Sequence, residues 1–100
     1  MRAFEDLTFV NTKVPDGIQS VVGFGDYQLS IIKNSTSYGG KQGLYEIGVF
    51  KGSDMVEMPG ITEEGDTVKG FLTESDISGI IKKMYLATGS EPKQVDISSE

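Results

Sequence analysis

The chain of 100 residues contains no cysteine, no histidine and no tryptophan. Without cysteine there are no disulfides, thiolate metal sites, iron–sulfur clusters or thiol nucleophiles. Without histidine the commonest general acid–base group and the commonest transition-metal ligand are missing. Ser-His-Asp and Cys-His constellations are excluded. Any catalysis would have to run on carboxylates, lysine, tyrosine, serine or threonine. The chain therefore reads as non-enzymatic, with no cofactor and no metal site. Bases are also scarce, with 9 Lys and Arg against 15 Asp and Glu and a net charge of −6. Lys13, Lys33, Lys41, Lys51 and Lys69 stand singly, and only Lys82-Lys83 is a pair. Proteins that wrap nucleic acid cluster such cations to neutralise phosphates, so no direct nucleic-acid binding is expected. The acidic balance favours solubility and suits a basic partner surface. No apolar run approaches the roughly 20 residues of a membrane span. The start, Met1-Arg2-Ala3-Phe4-Glu5-Asp6, has early acids and none of the apolar stretch of a secretory signal. A reducing cytoplasm, with no membrane partner, is the expected setting.

What is present describes one small domain over residues 1–89, followed by a flexible tail over 90–100. Leu7, Phe9 and Val10 suit a short strand, and Val14-Pro15-Asp16-Gly17 has turn chemistry. A first hairpin spans Ile18 to Lys33 around Gly25-Asp26. A two-residue loop sets its register: Phe24 faces Tyr27, Val22 faces Leu29, and Ser20 faces Ile31. A second hairpin spans Leu44 to Met58 around Gly52-Ser53. Its register sets Lys51 against Asp54, Phe50 against Met55, Val49 against Val56 and Ile47 against Met58. Val68 to Leu72 suits a fifth strand. Thr73 and Asp76 form a capping box at the start of a helix. Ile77, Ile80, Ile81 and Met84 recur at helical spacing as one apolar stripe. Gly79 interrupts this helix and suggests a close approach to the sheet. Thr88-Gly89 ends it. The expected architecture is α+β: an antiparallel sheet of four to five strands, made of two consecutive hairpins and packed by one C-terminal helix. A small bent barrel is the alternative, with Gly23, Gly48 and Gly70 as bend points.

Few motifs carry chemistry. Gly23-Phe24-Gly25 begins like a dinucleotide fingerprint, but Gln28 stands at the third glycine and no helix follows. Gly39-Gly40-Lys41-Gln42-Gly43 lacks the Gly-Lys-Ser/Thr ending and the helix of a phosphate loop. It lies in a polar loop, 34–43, which is either a connector or a binding loop. Glu46 and Glu57 become diagonal neighbours under the hairpin register. Paired carboxylates of that kind can do acid–base work or hold a divalent cation. Phe50 and Met55 share that face. They form either an exposed apolar spot or a patch covered by Phe4, Leu7 or Phe9.

The run Ser37-Tyr38-Gly39-Gly40-Lys41-Gln42-Gly43-Leu44-Tyr45-Glu46-Ile47-Gly48-Val49 resembles a pattern in small uncharacterised proteins of tailed bacteriophages. There, Ser-Tyr-Gly-Gly-x-x-Gly-Leu-Tyr-Glu leads into a hairpin. Val68-Lys69-Gly70-Phe71-Leu72-Thr73-Glu74-Ser75-Asp76-Ile77 resembles the strand-to-helix segment that closes the same proteins. The resemblance implies a phage origin and a site of action inside a bacterial host cell. It brings no activity, cofactor or catalytic residue. The expected function is protein binding through Tyr38, Gly39, Gly40 and Gly43, or through Phe50 and Met55. A homo-oligomer built on the Phe50/Met55 face is the alternative. A carboxylate enzyme using Glu46 and Glu57, with or without a divalent metal, is the remote one.

Overall fold

The computed structural model describes residues 3–13 and 16–97. Its elements are β1 (Val10–Asn11), β2 (Ile18–Phe24), β3 (Tyr27–Lys33), β4 (Tyr45–Lys51), β5 (Asp54–Met55), β6 (Val68–Leu72), α1 (Glu74–Thr88) and β7 (Lys93–Val95). The architecture is α+β, an antiparallel sheet with one helix packed on it.

The turn at Gly25-Asp26 sets the frame. It places Phe24 opposite Tyr27, Val22 opposite Leu29 and Ser20 opposite Ile31, as a two-residue loop demands. β4 extends the meander with Leu29 opposite Val49 and Ile31 opposite Ile47. Side chains alternate across a strand, so Val22, Phe24, Leu29, Ile31, Tyr45, Ile47 and Val49 share one face, and all are buried. The apolar stripe of α1 covers that face with Ile77, Ile80, Ile81 and Met84. Phe4 and Phe9 close one side, their rings 5.2 and 5.8 Å from that of Tyr45. Phe4 N–H donates to Ser78 Oγ at 2.8 Å, tying the N-terminal segment to the helix.

The expected second hairpin stops early. Lys51 faces Asp54 and Phe50 faces Met55, and Val56 N–H still donates to the Val49 carbonyl at 2.9 Å. Met58 does not reach Ile47. It starts a turn through Pro59-Gly60 in which Ile61 N–H donates to the Met58 carbonyl at 2.9 Å. Met58 N–H donates to Thr62 Oγ1 at 2.9 Å. Both backbone groups of Met58 are engaged locally, and Pro59 has no N–H to offer a ladder. β6 takes the vacated edge, with Gly48 opposite Val68, Ile47 opposite Lys69 and Tyr45 opposite Leu72.

The expected flexible tail is also corrected. Within it, Lys93–Val95 forms β7 and pairs with Val21, Val22 and Gly23 of β2. The Gln94 side chain accounts for this. Its Oε1 accepts from Thr8 N–H at 2.9 Å, and its Nε2 donates to Ser20 Oγ at 2.9 Å and to the Val21 carbonyl at 3.1 Å. At the N-terminal end the strand is β1 alone, preceded by a 3-10 turn over Phe4–Asp6. Val14 and Pro15 of the expected turn lie outside the described residues. Each outer edge of the meander thus carries two short strands, β1 and β7 on β2, and β5 and β6 on β4. Among the described residues no strand pairing closes the sheet, and the barrel alternative falls away.

Two outcomes are expected. Ser20 is fully buried, so Gln94→Ala leaves its hydroxyl without this partner and costs about 1–3 kcal/mol. Urea unfolding measures the loss, and amide exchange at Val21–Gly23 should quicken. Asp76 accepts from Thr73 N–H at 2.9 Å while Thr73 Oγ1 accepts from Asp76 N–H at 3.1 Å. Hydrogen bonding from Thr73, backbone first and then side chain, holds the Asp76 carboxyl below its ordinary pKa, with a smaller contribution from Lys69. A lowered folded pKa stabilises the fold above the unfolded value of about 3.9 and ceases to do so as pH falls through the folded value. Asp76→Asn should therefore be less stable than the native chain at neutral pH. The two melting temperatures should converge as the solution is acidified below about pH 3.9.

Candidate functional site

The loop between β3 and β4 is built from its own polar residues. Thr36 N–H donates to Asn34 Oδ1 at 2.8 Å, and Asn34 N–H donates to Ser37 Oγ at 2.9 Å. A short 3-10 turn, Gly40–Gln42, follows. Gly40 lies so close to the Asn34 carbonyl that no side chain fits there. Gly43 ends the turn at φ 79° with open space around it. The loop is fastened at two further points. Tyr38 N–H donates to Glu46 Oε1 at 2.8 Å, and the Tyr38 carbonyl accepts from Phe71 N–H at 3.2 Å.

That second bond marks an interlock between two dipeptides. Tyr38-Gly39 runs against Gly70-Phe71 of β6. A Cβ on Gly39 would stand 2.9 Å from the Phe71 Cα, and a Cβ on Gly70 would collide with the Tyr38 Cβ. Each glycine is the gap through which the other dipeptide's aromatic backbone passes. Both aromatic side chains are left in solvent, Tyr38 57% and Phe71 58% exposed.

Phe71 carries a conformational cost. Gly70 and Phe71 together stand opposite the single residue Glu46, a β-bulge between Tyr45 and Ile47. The left-handed residue of this bulge is Phe71, at φ 58°. For a bulky side chain this region is a true outlier, disfavoured by roughly 1–2 kcal/mol. The neighbouring Gly70, which contact with Tyr38 requires to be glycine, does not take the left-handed position.

Phe50 and Met55 face each other as expected, on the sheet face turned away from α1. The N-terminal segment does not cover them, because Phe4, Leu7 and Phe9 pack on the helix-covered core instead. Met55 is exposed and its methyl lies over Gly48, 3.0 Å from where a Cβ would be. A shallow cavity of about 190 Å³ lies here, lined by Phe50, Met55, Val68, Ile32, Ser30 and Glu46. Glu46 also holds Tyr38, so it joins this face to the glycine loop. The two candidate surfaces are neighbours on one side of the molecule.

Glu46 and Glu57 are not brought together as a carboxylate pair. Glu46 accepts from Tyr38 N–H, and Glu57 Oε2 accepts from Gly65 N–H at 2.8 Å. The early end of the second hairpin separates them, since Gly48, the residue that would have faced Glu57, faces Val68. Each carboxylate anchors a loop. Among the described residues no group of three or more acidic side chains is placed to hold a metal ion. Among the same residues no helix is long and apolar enough to cross a membrane.

Phe71 is the residue that sequence reasoning missed. Period-two alternation gives Lys69 and Phe71 one face and Gly70 and Leu72 the other, and the bulge breaks that alternation. Only the neighbouring Gly70 hinted at irregularity. Against known proteins, no family model, curated protein or solved structure matches the chain. The geometry alone therefore defines the site. Gly70→Ala is expected to force Tyr38-Gly39 off β6 and to cost about 1–3 kcal/mol, the usual range for overpacking. Chemical denaturation checks the cost, and nuclear magnetic resonance checks that the amides of Tyr38 and Phe71 shift most.

Proposed function

We propose that the chain is a non-enzymatic phage accessory protein that acts by binding another protein inside the bacterial host cell. One observation carries the reading: Phe71 is held in a disfavoured backbone conformation beside an equally exposed Tyr38. Local strain of this kind concentrates at functional sites, and exposed aromatics dominate the energetics of protein interfaces. The phage origin rests on the two stretches that resemble tailed-phage proteins. Support comes from their meeting in space, since Tyr38-Gly39 belongs to the first and Gly70-Phe71 to the second. The engagement of Glu46 and Glu57 by separate loops weighs against carboxylate chemistry.

A second reading is favoured by the uncovered Phe50/Met55 face, whose cavity and half-buried apolar side chains suit a symmetric dimer. One set of measurements separates the two. The tagged chain is used for capture from bacterial lysate, and its mass is measured by light scattering. Tyr38→Ala should abolish capture of a discrete protein while leaving the melting temperature within about 2 °C, since exposed positions contribute little to stability. Absence of any captured protein with the native chain overturns the first reading, and capture that survives Tyr38→Ala overturns the assignment of the surface to Tyr38. A dimer that Phe50→Asp converts into a folded monomer establishes the second.

A further inference from the structure

A second departure from local preference lies close to Phe71. Gly79 sits inside α1 at an exposed position, where glycine is a poor helix former relative to alanine. The expected reason, close approach to the sheet, does not hold, because a Cβ at Gly79 would meet no atom of the sheet within 4 Å. Gly79 and Phe71 border the same groove, between β6 and the first half of α1, with a volume of about 370 Å³. Two residues whose local preferences the fold overrides, without a packing reason at Gly79, thus meet at one surface feature. Conflicts between local preference and native structure are expected at functional sites.

The groove also has a charge of its own. Lys69 and Lys83 line it, together with Asp76. The Asp76 carboxylate is occupied by Thr73 N–H at 2.9 Å. Lys83 Nζ donates to the Gly60 carbonyl at 3.1 Å, which positions the ammonium and leaves it further donors. Two lysines against one carboxylate leave the groove one net positive charge on a chain of net charge −6.

We propose that this groove binds an extended segment of the partner protein that carries a carboxylate beside an apolar side chain. The inference rests on the protein-binding reading and gives it a partner chemistry. The carboxylate pairs with Lys69 and Lys83. The apolar side chain lies against the exposed ring of Phe71. The absence of a side chain at Gly79 lets the segment's backbone run close to the helix.

The test is a titration of the isotope-labelled full chain with blocked hexapeptides. Each holds two central leucines flanked by Asp, by Asn or by Lys. The Asp peptide should shift the amides between Lys69 and Lys83 and bind about tenfold tighter than the Asn peptide, the usual margin of a charge-assisted contact. Lys69→Glu and Lys83→Glu should each erase that margin. Two further variants separate binding from folding. Asparagine tolerates the left-handed region, so Phe71→Asn should melt no lower than the native chain. Gly79→Ala should melt higher. Both should weaken the Asp peptide about fivefold or more, as loss of a single good contact does. Equal affinity for Asp and Asn peptides, or full affinity in both stabilised variants, overturns the proposal. So does an absence of shifts between Lys69 and Lys83 at millimolar peptide. If lysate capture is still lost in Tyr38→Ala, such a failure concerns the groove alone. If the native chain captures no discrete protein either, the protein-binding reading fails with it.

Discussion

The burial of one face of the β2–β4 meander beneath the apolar stripe of α1 is the interaction on which the rest of this molecule depends. Ile47, Leu29, Ile31, Ile77, Ile81 and Met84 are among its largest fully buried side chains, and they come from both layers. A chain of this length has material for one such core. Because strand side chains alternate, committing Tyr45, Ile47 and Val49 inward commits Glu46, Gly48 and Phe50 outward. The outer face and its Phe50/Met55 patch follow directly from how the inner face is packed.

The same packing leaves two sheet edges to be dealt with, and exposed edges invite further pairing. The chain covers them with short strands brought from distant positions. β7 is held to β2 through the Gln94 side chain, which also holds the N-terminal segment through Thr8. β6 reaches β4 through a bulge, because Leu72 and Lys69 both align with inward-facing partners, Tyr45 and Ile47, although three positions separate them. The additional residue must go somewhere. It is accommodated with Phe71 in the left-handed conformation, next to Gly70, over which Tyr38 lies. The strained aromatic is a geometric consequence of three constraints meeting at one edge.

That junction of β4, β6 and the glycine loop organises every surface of functional interest. Glu46 anchors Tyr38 and borders the Phe50/Met55 cavity. Phe71 flanks Tyr38 and opens onto the groove along α1. Three carboxylates hold backbone in place: Glu46 and Glu57 accept N–H groups of separate loops, and Asp76 closes the helix cap. On an otherwise acidic surface, this side of the molecule presents the exposed rings of Tyr38 and Phe71, the Phe50/Met55 patch and the two lysines of the groove.

Much of this was legible from residue order alone, and the legible part shares one property. The β2–β3 register, the opposition of Phe50 and Met55, and the extent of α1 from its Thr73 cap to Gly89 all depend on residues a few positions apart. Turn chemistry, alternation and capping are local, so the sequence by itself determined them. Three features were not legible: the replacement of Met58 by Lys69 opposite Ile47, the strand formed within 90–100, and the interlock of Tyr38-Gly39 with Gly70-Phe71. Each is a competition between segments far apart in the chain for one edge or one small space. Many segments can supply a backbone ladder of similar strength. Which one does so is decided by side chains that meet only once the core has formed. The tertiary structure alone could therefore place Phe71 in the left-handed region beside Tyr38, because the contact that joins them spans 33 positions of the chain.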